Sequence, residues 1–431
     1  MQNQRVPANE INALQAEAAR AMQMGREQEA IQYWGRILDI DPNHGPTLSA
    51  IGQHAFRSGD LSSARTAFQR VVDIDGGAVH QWINLGLVHQ QLKDEQGEEI
   101  AVQRALRVDP RDLLALLMRA NLYERQGKKQ LAARTYGAAA TAAPPLDQLH
   151  PDLRSAVTHA IAFREAYDKE CGAFLDRYLD SHYEEFQGKN LKRFRDSLDI
   201  LIGRKKRYDS QSVIYHFPNL APMEFFERAD FPWLDPMEAA TDAIRDEFLA
   251  VLHAEQGFEP YITYPDDVPH NQFAELNNSP RWSAFHLYKL GKRIDANAEQ
   301  CPITMRLLDS APQPDQPGRT PAAMYSLLKP KTRIPPHTGV SNVRLVTHLP
   351  LIVPEGCGFR VGNETREWIP GRAWVFDDTI EHEAWNDSDK LRVVLLFDVW
   401  HPHLTPPERA LITALSAGMN AFSGEVAGVD P

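Results

Sequence analysis

No stretch of this chain approaches the roughly 18 consecutive apolar residues that mark a membrane-spanning helix. The opening segment, M-Q-N-Q-R-V-P-A-N-E, lacks the apolar centre of a secretion signal, and no membrane association is expected. Cysteine is scarce. Cys171, Cys301 and Cys357 lie far apart, which excludes a disulfide scaffold and a thiolate metal site and points to a reducing compartment. Positive charge is also short. A formal net charge of −12 gives no basic face for polyphosphate, so no nucleic-acid partner is expected. The basic runs K-N-L-K-R-F-R at 189–195 and R-K-K-R at 204–207 read as a solvated helix face and a turn. With 43% apolar and 24% charged residues over 431 positions, the chain reads as a cytoplasmic globular protein of two or three domains.

What is present first is a period. Pro42, Gly76, Pro110 and Pro144 follow one another at 34-residue intervals, preceded by D-I-D, D-I-D, R-V-D and T-A-A. Twelve residues before each stand Ala30, Ala64, Glu98 and Ala132; eight before stand Trp34, Phe68, Val102 and Tyr136. Twenty-four before stand Ala18, Gly52, Gly86 and Ala120. Small residues let two helices approach, and the larger apolar residue fills the space between repeats. Gly25, Gly59 and Gly127 mark inner turns; the third repeat departs, with Glu98 at a small-residue position and no inner glycine. This spacing resembles the tetratricopeptide family, with four repeats over about 11–144. Such arrays offer a concave surface to a protein or peptide partner, the alternative being a cap or dimerisation element.

Pro144-Pro145 closes the array, and apolar pairs four apart (Val157/Ile161, Phe163/Tyr167, Phe174/Tyr178) predict connecting helices over 145–208. Asp235-Pro236 predicts a helix reaching about Glu255. From about 282 to 400, short strand-like segments alternate with Pro/Gly turns, a pattern suited to an antiparallel barrel or jelly roll.

Within that region His337 and His382 stand 45 residues apart, and Arg392 follows ten residues after the second. A pair of imidazoles with an arginine one strand later meets the needs of an iron(II) centre using a 2-oxo acid co-substrate. The usual facial triad also has a carboxylate two residues after its first histidine, and here that position is Gly339. Isolated histidines in a β-rich domain are more often structural or surface residues, so the residues alone leave both readings open.

The blocks H-T-G-x-x-N-x-R-L-x-x-H-L from His337, F-D-D-x-x-x-H-E-x-W from Phe376 and D-V-W-H-P from Asp398 resemble the aspartyl/asparaginyl β-hydroxylase family. Weaker likeness extends upstream through F-P-N-L-A-P at 217–222, so that about half the chain, 209–405, is covered. The resemblance implies a multidomain chain. An all-α tetratricopeptide solenoid precedes a double-stranded β-helix (jelly-roll) oxygenase domain with flanking helices, and a tail occupies 406–431. It implies Fe(II), 2-oxoglutarate as co-substrate and dioxygen, with His337 and His382 as the metal ligands and no protein carboxylate. Arg392 would pair with the distal carboxylate of 2-oxoglutarate, supported by Ser326, and His348 would contact its metal-side carboxylate. Arg344 matches an arginine at the mouth of the site, where a substrate carboxylate could be held. Apart from the resemblance, Asp377 and Asp378 stand close enough before His382 for Asp378 to orient a metal-bound water or the imidazole, or the pair forms a turn. One departure concerns the substrate. Some members carry a second arginine where this chain has Val346.

Glu381 and Glu383 should face away from His382. Asn342 should hold backbone, His401 should end a strand, and Trp374, Trp385, Trp400 and Cys357 should be packing residues. Three functions stay open: a peptide hydroxylase recruited by its repeats, the same chemistry on a small molecule, and an adaptor that has lost catalysis.

Overall fold

The computed structural model describes residues 8–265 and 273–423. The chain divides into two compact units at Gly203/Arg204, each considered by itself.

The first unit is helical throughout. Its antiparallel pairs are α1 (Ala8–Gln23) with α2 (Glu27–Ile40), α3 (Gly45–Arg57) with α4 (Leu61–Ile74), α5 (Val79–Gln91) with α6 (Glu95–Val108), and α7 (Leu113–Arg125) with α8 (Lys129–Ala142). Asp60, Asp94 and Asp112 cap α4, α6 and α7 by accepting from backbone N–H groups three residues on. Close approach within a pair needs the small residues, since a Cβ on Gly52 would lie 2.8 Å from the Phe68 ring. The inner turns take positive φ at Gly25, Gly59 and Gly127; in the third repeat Lys93 accepts that conformation at φ 58°.

Glu98, at the small-residue position of that repeat, is fully buried. Its carboxylate receives Arg125 Nη2 of the next repeat at 2.6 and 2.7 Å, and Gln90 Nε2 at 3.2 Å. The connecting region is α9 (Pro151–Glu184), whose Val157 and Ala160 join the core of Tyr136 and Ala139, followed by α10 (Lys192–Leu201).

The second unit begins at Arg204, and Tyr208 is held within it by Arg360 Nη1 at 3.1 Å. The expected helix from 235 is two, α11 (Leu234–Ala239) and α12 (Thr241–Ala254), broken at Ala240. Next come β1 (Phe258–Pro260), β2 (Trp282–Lys289), β3 (Lys292–Arg293), α13 (Asp295–Ala298) and α14 (Pro302–Leu308). The strands β4 (Ala323–Leu328), β5 (Thr332–His337), β6 (Arg344–Ile352), β7 (Cys357–Val361) and β8 (Glu364–Arg366) follow. The unit ends with β9 (Trp374–Phe376), β10 (His382–Asn386), β11 (Arg392–Trp400) and α15 (Pro406–Ser423). The expected C-terminal tail from 406 contains this helix, with Ile412 buried against Trp400 and Leu404; residues 424–431 lie outside the described residues.

Among the described residues, the larger sheet runs β1-β2-β4-β11-β6-β9 with β3 beside β2, and the smaller runs β5-β10-β7-β8. From β4 onward the chain passes repeatedly between the two sheets, and all pairings between these strands are antiparallel, which is jelly-roll connectivity. The larger sheet is buried on both faces. Leu345, Leu349 and Leu395 pack with Phe248 and Met305 of the helices on one side. Val346, Phe376 and Val394 pack with Ile334, Phe359 and Ala384 of the smaller sheet on the other. Glu247 of α12 ties the helical layer down by accepting from the N–H groups of Ile303 and Thr304 at 2.7 and 2.9 Å, at the start of α14. No described helix is long and apolar enough to cross a membrane.

The Glu98–Arg125 bridge gives a test of the array. Removing the cation alone leaves a carboxylate buried without its countercharge, so Arg125→Ala should cost about 3 kcal/mol in urea unfolding of the helical transition. Glu98→Ala restores the small residue of the other repeats, and the double variant should recover much of the loss.

Candidate functional site

The smaller sheet builds the centre of the site. β5 and β10 run antiparallel with His337 directly opposite His382, and a register shift follows at once between His382 and Ala384. The rings approach to 4.1 Å between centroids at 51°. Each ring is oriented by the chain it leaves: His337 Nδ1 donates to the Pro335 carbonyl at 2.7 Å, and His382 Nδ1 donates to the Ile380 carbonyl at 3.0 Å. A proton fixed on Nδ1 leaves a lone pair on Nε2 in the neutral ring. Burial keeps both rings neutral, pushing His337 down to about 3 and His382 to about 4; the neighbouring imidazole adds to the effect at His337.

The larger sheet supplies the groups around the pair. Arg392, at the start of β11, is 2% exposed, and its Nη1 lies 3.4 Å from both the carbonyl and the Oγ of Ser326 on β4. Its guanidinium stacks over Trp368 at 4.8 Å, and its Nε has no hydrogen-bond partner. No carboxylate among the described residues pairs with it, and burial pulls its pKa down to about 10. Ser326 Oγ also accepts from Trp282 Nε1 at 3.3 Å. His348 on β6 packs between Phe359 and Phe376, each with its ring centroid at 4.9 Å, and its Nδ1 is unpartnered. Burial, and then the charge of Arg392, hold its pKa well below the usual value.

Gly339 has a definite reason. A Cβ there would lie 2.1 Å from Asp378 Oδ2, so the carboxylate of Asp378 occupies the space into which a side chain at 339 would grow. The Gly339 N–H donates to the Asp378 carbonyl at 2.6 Å, locking the two together. Asp378 is 5% exposed; its Oδ2 pairs with Arg344 Nη2 at 3.0 Å and its Oδ1 has no partner.

The second Nη of Arg344 pairs with Asp398 Oδ1 at 2.9 Å. Arg344, expected at the mouth of the site, lines the cavity and is held by two internal carboxylates, because β11 brings Asp398 beside β6. Burial raises the pKa of Asp378 and lifts Asp398 to about 6. Asp377 serves its own turn, accepting from Thr379 N–H and Oγ1 at 3.0 and 2.6 Å.

The flanking residues stand as the strand pattern suggests. Glu381 and Glu383 bond to Arg360, at 3.1 and 2.5 Å. Asn342 grips the backbone of Phe217, accepting its N–H at 2.7 Å and donating to its carbonyl at 2.9 Å. His401 Nδ1 accepts from the His403 N–H at 3.2 Å in the turn after β11. Trp374 and Trp400 belong to apolar clusters, and Cys357 is buried against Asn386.

One cavity of roughly 270 Å³ joins these groups, reached by His337, His382, His348, Ser326, Arg392, Arg344 and Asp378 together. It also reaches residues that the sequence reading did not single out, among them Met324, Leu396, Asp398, Gln316, Arg319 and the α15 residues Leu415 and Met419. Two of these were accessible to period-two counting, since Arg392, Val394, Leu396 and Asp398 share one face of β11. The donor set fits a metal held by two imidazoles, beside a buried cation that lacks an anion. Among the described residues no group of three or more His, Cys, Asp or Glu side chains is arranged to hold a metal ion.

A jelly roll carrying this site has known relatives. The family model for aspartyl/asparaginyl beta-hydroxylase matches residues 238–402, and a tetratricopeptide repeat model matches 95–147. The aspartyl/asparaginyl beta-hydroxylase of Homo sapiens is 38% identical over 173 residues, covering 40% of this chain and 21% of that protein. The ornithine lipid ester-linked acyl 2-hydroxylase of Rhizobium tropici is 34% identical over 200 residues, 46% of this chain and 67% of that protein. Among solved structures, MamA is similar at 17% identity and a TM-score of 0.33, over 42% of this chain and 97% of that one. The second unit therefore carries an aspartyl/asparaginyl beta-hydroxylase-type domain, and the first carries tetratricopeptide repeats. The chain belongs to the aspartyl/asparaginyl β-hydroxylase family, and it spans about a fifth of the length of the human and mouse aspartyl/asparaginyl beta-hydroxylases.

Two tests follow from the geometry. Gly339→Ala should destabilise the second unit by about 1–3 kcal/mol through overpacking, and Asp378→Ala in the same chain should relieve it, as read by thermal melting. Imidazoles at about 3 and 4 stay neutral well below their ordinary range. Manganese(II) affinity should therefore fall less than about threefold between pH 7.5 and 5.5, where unshifted histidines would lose about tenfold each.

Proposed function

We propose that the second unit is an Fe(II)- and 2-oxoglutarate-dependent dioxygenase that hydroxylates a C–H bond. The observation that carries this reading is Arg392, a buried guanidinium lining the same cavity as the histidine pair, with no carboxylate partner among the described residues. A buried cation of this kind is stabilised by an anionic ligand, and its planar fork suits a carboxylate. His337 and His382 would hold the metal through Nε2. Ser326 Oγ and Arg392 Nη1 would receive the distal carboxylate of 2-oxoglutarate, and the unpartnered His348 Nδ1 would face its other end. Asp378 Oδ1, also unpartnered, would orient solvent near the pair. When bound, the metal and 2-oxoglutarate supply the oxidising chemistry: one oxygen atom of dioxygen enters the C–H bond, the other enters succinate, and carbon dioxide is released. The apolar walls of Phe359, Phe376 and Trp282 keep bulk water from this chemistry.

Two substrates have support. Family membership and the repeat array support an aspartyl or asparaginyl side chain of a protein or peptide recruited by the repeats. The cavity wall favours a small molecule with an apolar reacting segment, because Arg344 is neutralised by Asp378 and Asp398 and its inward neighbour is Val346.

Iron-dependent succinate formation should vanish in His337→Ala and in His382→Ala, and normal turnover in either would overturn the assignment. Arg392→Ala should raise the KM for 2-oxoglutarate by about ten- to a hundredfold, as expected for losing a charge-assisted pair. Initial rates against 2-oxoglutarate concentration read this directly.

A further inference from the structure

Four cations line the cavity: Lys289, Arg319, Arg344 and Arg392. Lys289 is taken by Glu259 at 2.5 Å, and Arg344 by Asp378 and Asp398. Arg392 stands beside Ser326, at the place assigned to 2-oxoglutarate. Arg319 is left over: half-buried, and with no ion pair to any described residue. Its position is built. In the turn 316–320 the N–H groups of Arg319 and Thr320 both reach the Gln316 carbonyl at 3.0 Å, and Gln316 N–H donates to Thr320 Oγ1 at 3.1 Å. The Gln316 side chain is 6% exposed, borders the same cavity and has an Nε2 without a partner. α15 is fastened to this turn by Thr413 Oγ1 to Asp315 and by Asn420 Nδ2 to the Pro317 carbonyl, both at 2.8 Å.

Around this polar corner the cavity is apolar. On adjacent strands Met324 registers with Leu396, and Leu396 with His348, while Val346 lies opposite Asp398. α15 adds Ile412, Leu415 and Met419 to the lining. The apolar surface does not stop at the cavity, because Leu415 and Met419 are also 47% and 56% exposed, and Leu411 and Phe422 beside them are 70% and 90% exposed. An acidic peptide side chain finds a cation at Arg319 but has no use for this hydrocarbon surface. A molecule with both an anion and a long apolar chain uses all of it.

We propose that the substrate is an acidic amphiphile. Its carboxylate or phosphate rests on Arg319 and the Gln316 amide, and its hydrocarbon chain lies against Met324, Val346 and Leu396 and along α15. The proposal rests on the dioxygenase reading for the bond that reacts, but not for binding. Binding is therefore tested on metal-free full-length protein, with nitroxide-labelled palmitate quenching tryptophan fluorescence. Unlabelled palmitate, hexadecanol and an aspartate-rich peptide serve as competitors. Vesicles of phosphatidylglycerol or phosphatidylcholine, assayed by flotation, separate a membrane lipid from a free acid as the source of the head group.

Palmitate should compete at least tenfold better than hexadecanol, or phosphatidylglycerol vesicles should bind at least tenfold better than phosphatidylcholine vesicles. Arg319→Gln should erase that preference, Arg319→Lys should keep most of it, and Met419→Glu should weaken acid and alcohol alike. An unchanged preference in Arg319→Gln, or displacement by the peptide and not by palmitate, overturns the proposal. Succinate measured in parallel separates the two claims. Turnover stimulated by the peptide alone removes the amphiphile and keeps the dioxygenase. Arg319-dependent binding without iron-dependent succinate keeps the amphiphile site and removes the dioxygenase.

Discussion

The pairing of β5 with β10 is the constraint on which the site rests. Side chains alternate between faces along a strand, so a slip of one residue would turn either His337 or His382 out of the cavity. The register is held from several sides. β10 is flanked by β7 as well as β5, and Ala384 packs with Ile334 and Phe359 in the apolar layer between the sheets. Asn386, at the end of β10, donates to the carbonyls of Leu328 and Lys390 at 2.9 and 2.8 Å and so fixes the strand's far end. The imidazoles are thus positioned by backbone pairing and carbonyl acceptors before any ligand arrives, which lowers the ordering cost of binding.

Charge is distributed unevenly over the same interior. In a buried setting each unpaired ion carries a desolvation cost, so the partners chosen for each cation largely define what the cavity will accept. Arg344 is structural in this sense: with Asp378 and Asp398 it cross-links the loop before β10, the start of β6 and the end of β11. Arg392 has an aromatic face beneath it and a serine beside it but no counterion among the described residues, an arrangement that favours an incoming anion. Both arginines are buried, and only their acidic neighbours make them different.

Much of this was readable in advance where the information is local. The 34-residue period fixed the repeats, because each helix pair carries its own small and large positions. The family blocks contained His337 and His382, the wider resemblance added Arg392 and Ser326, and the strand pattern turned Glu381 and Glu383 away from the cavity, where Arg360 receives them. What depended on non-local contact was not readable. Gly339 registered as a missing carboxylate, whereas its cause is the Asp378 side chain in that space, 39 residues further along. The neutralisation of Arg344 depends on Asp398, which only the β6–β11 pairing brings near. The segment from 406 carried no motif, so its contribution to the cavity wall became visible only with α15 in place.

The Glu98–Arg125 bridge has a meaning for the array as a whole. Repeat stacks joined only by apolar surface tolerate reshuffling, because every interface presents much the same chemistry. Here the third repeat carries a carboxylate that must meet an arginine on the fourth. The modules are consequently addressed rather than interchangeable. Transplanting or duplicating the third without its neighbour would bury a charge at a foreign junction, so the order of the repeats is written into the interior of the stack as well as its surface.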